Sequence, residues 1–286
     1  MIYGSFDEIN KMQIINRIQQ CYIKNNETRR PLKILSDVDD TLFSSGGSLA
    51  GYDTSYPKAC IYPGVTTFYK ELDIGPEESD GEWESHKMGN LVFLTARPHV
   101  KYALGASEKI SHKTFKEFNQ KGILHTRSTL LAGDLEGFKG AAMKDFSPMA
   151  EKKYSNFTQY AVIQPEYDFI FFGDNGQGDT KAGLNMLDNY PERMKGVFMH
   201  QVIPKEKTFG YNSSPKWKEI IFFDTYIGAA EIAYNMNLIS LSGLKRVLEA
   251  AQKEFELIKW DSSQQKKNAK EQLERDITLL KLHKLF

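Results

Sequence analysis

Short, uniformly apolar runs that end in polar residues constrain the fold of this chain more than any other feature. Runs such as LVFL and FIFF lack the apolar–polar alternation of a strand with one wet face, so they predict strands buried on both faces. The five candidate segments are LKILSDVDD, GNLVFLTARP, YDFIFFGDNG, MKGVFMHQV and KEIIFFDTY. Helical patterns lie between them, in TTFYKELD, HVKYALGASEKI and residues 149–163. Strand alternating with helix predicts an α/β fold with a parallel sheet.

The composition excludes several classes of protein. The chain has 37 basic and 37 acidic residues, so no net charge favours nucleic acid, and no nucleic-acid partner is expected. Two cysteines, Cys21 and Cys60, stand outside any CxxC pattern, and a reduced compartment follows. The N-terminus lacks the apolar core of a signal peptide, and no apolar run approaches the roughly 18 residues of a membrane span. We therefore expect a cytoplasmic protein without a transmembrane segment.

Two segments differ from the alternating pattern. The acidic stretch Gly75–Ser85 is rich in turn formers and predicts an exposed loop. From Leu241 onward, apolar residues recur at spacings of three and four, which predicts helix. One or two helices packing on the core are expected there; a helix for a partner or a membrane surface is the alternative.

Polar side chains follow three of the predicted strands directly. In chain order they are Asp37, Asp39, Asp40 and Thr41; then Thr95, Arg97 and His99; then Asp174, Asn175, Gln177 and Asp179. Ligands of open α/β sheets bind at the carboxyl ends of the strands, so we expect these groups to meet at one place. The clustered aspartates of SDVDDT repel one another and are costly to desolvate, which indicates function rather than stabilisation.

Carboxylate oxygens without His or Cys nearby are ligands that suit Mg²⁺. A cluster of Asp37, Asp39, Asp174 and Asp179 would repel itself, and a divalent cation would remove that repulsion and attract a phosphate. Turn or helix capping is the alternative role for these residues, because Asp is common at both places.

An aspartate beside such a cation can attack phosphorus and form an aspartyl-phosphate. Asp39 lies two residues after Asp37, in phase along an extended chain, and can protonate the leaving oxygen and then activate water. Thr95 is the candidate for holding phosphoryl oxygens, and Lys152 or Lys153 for balancing the charge. The side chain of Asp40 points away from Asp39, so a structural role in the loop is expected.

The four motifs DVDDT, LT, a lysine and GDNGQGD, in this order, resemble those of the haloacid-dehalogenase-like hydrolases. The details SDVDDT, GDNGQGD and the later FFDTYIGAAEIAYNMNLIS resemble the catalytic domain of the actin-patch-associated phosphatidate phosphatases. The resemblance extends to about residue 240 and implies a Rossmann-like parallel sheet flanked by helices. The family's spacing from lysine to GD selects Lys153 over Lys152.

The resemblance also implies roles for residues at the matching positions. Asp37 would be the nucleophile and Asp39 the acid and base, with Thr95 and Lys153 completing the catalytic set. The implied Mg²⁺ ligands are Asp37, the Asp39 carbonyl and Asp174, with Asp179 in support. The expected substrate-binding residues are Thr95, Ala96, Arg97 and Lys153.

The chain departs from the family pattern in two places. Thr95-Ala96 stands where members usually show a serine–asparagine pair; the hydroxyl is kept, but the adjacent pocket differs. Residues 46–62 are also atypical, in the region where the superfamily places flaps that gate the substrate.

The gaps between the motifs leave little room for a cap domain, and the gap from Arg97 to Lys152 must also supply a core helix and a strand, the strand within GILHTRSTLLAG. We therefore predict little or no cap and an open site; a small helical cover in the same gap is the alternative. Open sites suit bulky substrates such as lipid headgroups or phosphoproteins. The chain is divided into a haloacid-dehalogenase-like phosphatase domain, residues 1–240, and a C-terminal helical extension, residues 241–286.

The predicted function is a Mg²⁺-dependent phosphomonoester hydrolase with an aspartyl-phosphate intermediate. The resemblance implies phosphatidate or a related phospholipid as the phosphorylated substrate, met at a membrane surface by a peripherally bound protein. The alternatives are a protein or small-molecule phosphatase on the same scaffold, and a phosphate-binding adaptor without turnover.

Overall fold

A computed structural model of the protein describes residues 7–25, 30–47, 51–84, 87–98, 106–133, 145–283 and 285. The strands are β1 (Leu32–Ser36), β2 (Leu91–Pro98), β3 (Thr129–Gly133), β4 (Asp168–Asp174), β5 (Met194–His200) and β6 (Ile220–Phe223). The helices are α1 (Glu8–Asn25), α2 (Val65–Ile74), α3 (Ala106–Gln120), α4 (Ser147–Ile163), α5 (Asp179–Asn189), α6 (Tyr226–Asn235), α7 (Leu241–Glu256) and α8 (Ser263–Leu282). Short 3-10 turns span Lys205–Lys207 and Pro215–Glu219.

The strands form one six-stranded sheet in the order β3-β2-β1-β4-β5-β6, and every pairing is parallel. The chain therefore moves outward from β1 to β3 and then crosses back to β4, on the other side of β1. This reversal opens a crevice at the carboxyl ends of β1 and β4, where ligands of such sheets bind. The predicted α/β fold with a parallel sheet flanked by helices is confirmed.

The two faces of the sheet explain the uniformly apolar strands. All seven residues of β4 are buried. Phe169 and Phe171 face a core that includes residues of α4 and α5. Ile170 and Phe172 face a second core that includes residues of α2, α6, α7 and α8. Each of the four residues Phe169–Phe172 thus enters one of two cores, which explains the uninterrupted apolar run between Asp168 and the terminal Gly-Asp.

The five predicted strands are confirmed, and the further core strand expected within GILHTRSTLLAG is β3. This strand lies at the sheet edge and is only partly buried, so it lacks a long apolar run. The helix expected in HVKYALGASEKI is described from Ala106 as α3; its predicted beginning, residues 99–105, lies outside the described residues. Among the described residues, no separate cap domain covers the sheet.

The C-terminal region forms two helices, as expected from its spacing. Val247 and Phe255 of α7 and Leu273 of α8 lie in the same core cluster as Phe172 of the sheet. The helices are separated at 257–262, close to the polar stretch that interrupts the apolar stripe. Within the described residues, no helix is long and apolar enough to span a bilayer.

Candidate active site

Three buried carboxylates converge at the crevice between β1 and β4. Asp37 directly follows β1, and its backbone N–H donates to the Phe172 carbonyl of β4 at 2.8 Å. Asp174 is the last residue of β4, and Asp179 is the first residue of α5. Each offers one oxygen, and these oxygens lie within 4.8 Å of one another. The strand ends therefore bring together three of the four predicted metal-ligating residues.

Lys153 of α4 reaches this cluster from one side. Its Nζ donates to Asp37 Oδ1 at 2.7 Å and also to Asp179 Oδ1. The lysine is buried, whereas Lys152 lies on the half-buried flank of the same helix. One ammonium group therefore faces three carboxylates, which leaves the cluster with excess negative charge.

The excess charge shifts the pKa values of the cluster. Burial, and next the charge of Asp179, raise the pKa of Asp37 from its ordinary 3.8 to about 8, while Lys153 opposes the rise. Burial and Asp179 also raise the pKa of Asp174 well above its ordinary range. Burial lowers the pKa of Lys153, but the charges of Asp179 and Asp37 outweigh it and raise the pKa overall. The lysine is charged, and the carboxylates compete for protons or for another cation.

The donor set fits a divalent cation. The cluster offers carboxylate oxygens from Asp37, Asp174 and Asp179 and is buried from water. A divalent ion would offset the negative charge that Lys153 leaves unbalanced, and oxygen-only ligands suit hard cations.

We expect the stability of the metal-free protein to fall with pH more in the wild type than in Asp37→Asn. The Asp37 carboxyl holds its proton up to about pH 8 when folded, against an ordinary pKa of 3.8, so between these values the folded state binds more protons. The free energy of unfolding then falls as pH rises, by at most about 1.4 kcal/mol per pH unit for one group. Melting temperatures in EDTA at pH 5, 6, 7 and 8 would show the difference.

Added Mg²⁺ is expected to raise the wild-type melting temperature more at pH 8 than at pH 5, because protons compete with the ion at low pH. The Asp37→Asn variant is the control, since it lacks one ligand and one titrating group. Parallel pH curves for the two proteins in EDTA would contradict the assignment of the shift to Asp37.

The loop 173–179 needs glycine where other groups approach closely. A Cβ at Gly173 would lie 2.6 Å from Asp179 Cβ, so a side chain there would displace this carboxylate. A Cβ at Gly178 would meet the backbone of Phe146 and Ala150 at 3.0 Å. The glycines of GDNGQGD thus let the loop fold tightly against α4 and aim Asp179 at the cluster.

Asn175 ties the same loop to the segment after β5. Its Oδ1 accepts from the backbone N–H groups of Val202 (2.8 Å) and Ile203 (3.1 Å). Its Nδ2 donates to the Ile203 carbonyl and to Thr208 Oγ1. This fully buried amide is therefore a structural part of the loop, and it positions its neighbour Asp174.

Asp40 has the structural role expected of it. It has a φ of 57° and is fully buried. Its carboxylate accepts backbone N–H groups from Ser45 at 2.7 Å, Tyr52 at 2.5 Å and Asp53 at 3.0 Å. The side chain thereby fixes both ends of the loop that follows β1.

The remaining predicted site residues lie around the cluster. Asp39 is half-buried, and its charge is close enough to raise the pKa of Asp37. Thr95 is buried on β2, just after Leu94, where the pairing with β3 shifts register. Ala96 and Arg97 continue the backbone of β2, and the orientation of their side chains lies outside what the structure describes.

The sequence analysis missed His200, which supports the site from β5. His200 pairs with Asp174 in register, and its Nδ1 lies 2.8 Å from the Asp40 carbonyl oxygen. Its ring packs against Tyr62 and Phe223, with centroid distances of 4.6 and 5.4 Å. A polar residue ending the apolar run GVFMH is the same signal used at the other strand ends, and it could have identified this residue.

Two buried tyrosine hydroxyls hold the backbone around Asp37. Tyr226 donates to the Thr41 carbonyl at 2.6 Å, and the Tyr69 hydroxyl lies 2.7 Å from Ser36 Oγ. Both come from helices that pack under the sheet, so these contacts left no local sign in the sequence. They fix the chain before and after Asp37.

The chain is similar to a known family of phosphatases. The model of the family described as "Phosphatidate phosphatase APP1, catalytic domain" matches residues 32–201, more than half of the 286 residues. The chain belongs to this family. As a member of the APP1 catalytic-domain family, it is a phosphoric monoester hydrolase, and the resemblance seen in the sequence is confirmed. No curated protein and no solved structure matches the chain.

The matched range contains every predicted catalytic, substrate-binding and metal-ligating residue. Asp37 and Asp39 lie near its start, Thr95 and Lys153 within it, and Asp179 near its end. The match ends at residue 201, so the segment Phe222–Ile239, to which the resemblance had been extended, lies beyond it.

Proposed function

We propose that this protein is a Mg²⁺-dependent phosphatidate phosphatase that works through an aspartyl-phosphate on Asp37. The observation that carries the proposal is the buried Asp37 carboxylate at the switch point of the sheet, held by Lys153 and faced by Asp174 and Asp179. Burying this many charges costs folding free energy, so the cluster is kept for a reason other than stability, and catalysis is that reason. The family match supplies the phosphatidate part of the proposal.

The proposed ion is Mg²⁺ because the ligand atoms are carboxylate oxygens. Asp37, Asp174 and the Asp39 carbonyl would hold the ion, with Asp179 in support. When bound, it would supply positive charge to the phosphoryl oxygens and to the attacking carboxylate. Asp179 itself is anchored through Lys153 and through the Asp174 backbone N–H at 3.3 Å, which suits a supporting role.

The first step proposed is attack of an Asp37 carboxylate oxygen on phosphorus. A bond forms between this oxygen and phosphorus, and the bond between phosphorus and the ester oxygen breaks. Asp39 donates a proton to the leaving oxygen, for which its half-buried position beside Asp37 is suited. Lys153 orients the carboxyl through Oδ1 and offsets negative charge, and the Thr95 hydroxyl would donate to a phosphoryl oxygen.

The second step proposed is hydrolysis of the aspartyl-phosphate. Asp39, now ionised, takes a proton from water, and the water oxygen attacks phosphorus. The bond from phosphorus to Asp37 breaks, and the carboxylate is restored with inorganic phosphate as product. The acid and the base are thus one residue that returns to its starting state.

Phosphate release from a panel of substrates tests the proposal. The purified protein is assayed with Mg²⁺ or with EDTA on dioctanoyl phosphatidate in detergent micelles, glycerol 3-phosphate, a phosphoserine peptide and p-nitrophenyl phosphate. We expect Mg²⁺-dependent release with the highest kcat/KM on phosphatidate. A higher value on the peptide would favour a protein phosphatase, and no release from any substrate would favour the adaptor.

A further inference from the structure

We propose that Tyr52 determines specificity by contacting the apolar substituent of the phosphate ester; this inference rests on the proposed function. The residue lies in the loop after β1, and its side chain is 40% exposed. Exposed aromatic rings are common, so the exposure of Tyr52 alone does not indicate a function. The position of the ring against the carboxylate loop carries the inference.

Gly176 places the Tyr52 ring at the edge of the carboxylate cluster. A Cβ built on Gly176 would lie 2.7 Å from Tyr52 Cδ2 and 3.0 Å from Asp174 Oδ1. The same glycine donates its N–H to Asp174 Oδ1 at 2.7 Å. The ring edge and the Asp174 carboxylate therefore border the same residue, and the ring lies beside the place where the phosphate would bind.

The backbone of Tyr52 is held by the first motif. Its N–H donates to Asp40 Oδ2 at 2.5 Å. Asp40 lies only three positions after Asp37 in the chain. Asp40, which fixes the loop after Asp37, thus also sets the position of the Tyr52 ring. Such preorganisation lowers the entropic cost of a contact with a ligand.

Tyr52 is the first of three aromatic rings in contact. Its ring meets Phe146 edge to face at 6.3 Å between centroids, and Phe146 meets Phe209 in the same way at 5.8 Å. Phe146 directly precedes α4, the helix that carries Lys153. A ligand with its phosphate at the carboxylate cluster and an apolar substituent along Tyr52 would contact both the charged and the aromatic groups.

Binding of two phosphonates tests the contact without turnover. Octylphosphonate and methylphosphonate share the charged group and differ in apolar length. By calorimetry in the presence of Mg²⁺, we expect the wild type to bind octylphosphonate more tightly, and Tyr52→Ala to lower the ratio of the two affinities about fivefold. Tyr52→Phe keeps the ring and is expected to keep the ratio within about twofold. The ratio for one preparation does not depend on its folded fraction.

Met88→Ala is the matched control. Met88 is 75% exposed and lies shortly before the amino end of β2, whereas the carboxylates lie at the carboxyl ends of the strands, so its loss tests general surface apolarity. Its affinity ratio should equal that of the wild type. An unchanged ratio in Tyr52→Ala, or an equal fall in Met88→Ala, would overturn the inference even if the protein hydrolyses phosphatidate.

The same variants distinguish a lipid from a soluble source of the apolar group. The ratio of kcat/KM for dioctanoyl phosphatidate over glycerol 3-phosphate should fall about fivefold in Tyr52→Ala if the acyl region meets the ring. A fall for octylphosphonate alone would support the contact and assign it to a soluble alkyl phosphate. Absent hydrolysis by the wild type would contradict the proposed function, whereas the phosphonate ratio would still decide the role of Tyr52.

Discussion

Asp37→Asn is expected to lower kcat for phosphate release by on the order of 10³-fold or more, because the amide cannot attack phosphorus as a carboxylate does. The fold should persist, since the two side chains have nearly the same shape. Removing a carboxyl whose pKa is raised to about 8 by burial should leave the metal-free protein as stable or more stable at pH 7. Steady-state rates and melting curves on the same preparation measure both effects.

A nucleophile must be distinguished from a metal ligand, because Asp37 is proposed as both. Asp174→Asn should also lower kcat, but raising the Mg²⁺ concentration should restore part of it. The loss in Asp37→Asn should persist at every Mg²⁺ concentration, and acid-quenched phosphoprotein should form only when Asp37 is present. Asp276→Asn is the matched control, since Asp276 is also buried with a raised pKa but binds Thr225 between α8 and the start of α6. Activity of Asp37→Asn within tenfold of wild type would exclude the aspartyl-phosphate mechanism.

The sequence predicted most of the sheet because burial on both faces leaves a local signal. Each residue of FIFF enters one of two cores, so the run is apolar without interruption, and Asp174 marks where the cores end. β3 was less distinct because an edge strand has fewer buried positions. Alternation with helices then predicts parallel strands, whose carboxyl ends lie at one end of the sheet, whereas the order that makes β1 and β4 neighbours and brings Asp37 to Asp174 comes from the structure.

Contacts between distant segments had no local signal. The side-chain contact of Lys153 with Asp37 joins residues 116 positions apart, and the lysine was selected by family spacing rather than by helix phase. The contact of His200 with the Asp40 carbonyl spans 160 positions. Tyr52 had no local signal of a position beside the site, because its proximity to Asp174 depends on a glycine in another loop. Such contacts depend on the tertiary fold. The Tyr52 ring, for example, can lie beside Asp174 only because Gly176 has no Cβ.

Lys153→Met is expected to have the largest effect on stability. The substitution keeps much of the side-chain length but leaves Asp37 and Asp179 buried without their shared cation. Removing one partner of a buried ion pair typically costs 3–5 kcal/mol. The loss should be larger at pH 8 than at pH 5, because protonation of the carboxyls relieves it at low pH. Urea unfolding in EDTA at the two pH values measures this difference, and kcat should fall by on the order of 10³-fold.

The neighbouring lysine and a double variant make this prediction specific. Lys152→Met changes the same residue type one position away on a half-buried flank, and it should lower the free energy of unfolding by no more than about 1 kcal/mol. Adding Asp37→Asn to Lys153→Met removes one of the two unpaired charges, so Asp37→Asn should stabilise the Lys153→Met protein by more than it stabilises the wild type. If the two substitutions changed the free energy of unfolding additively, the Asp37–Lys153 contact would carry no coupling energy. In that case Lys153 would hold only Asp179, and the orientation of Asp37 would have to come from its backbone bond to Phe172.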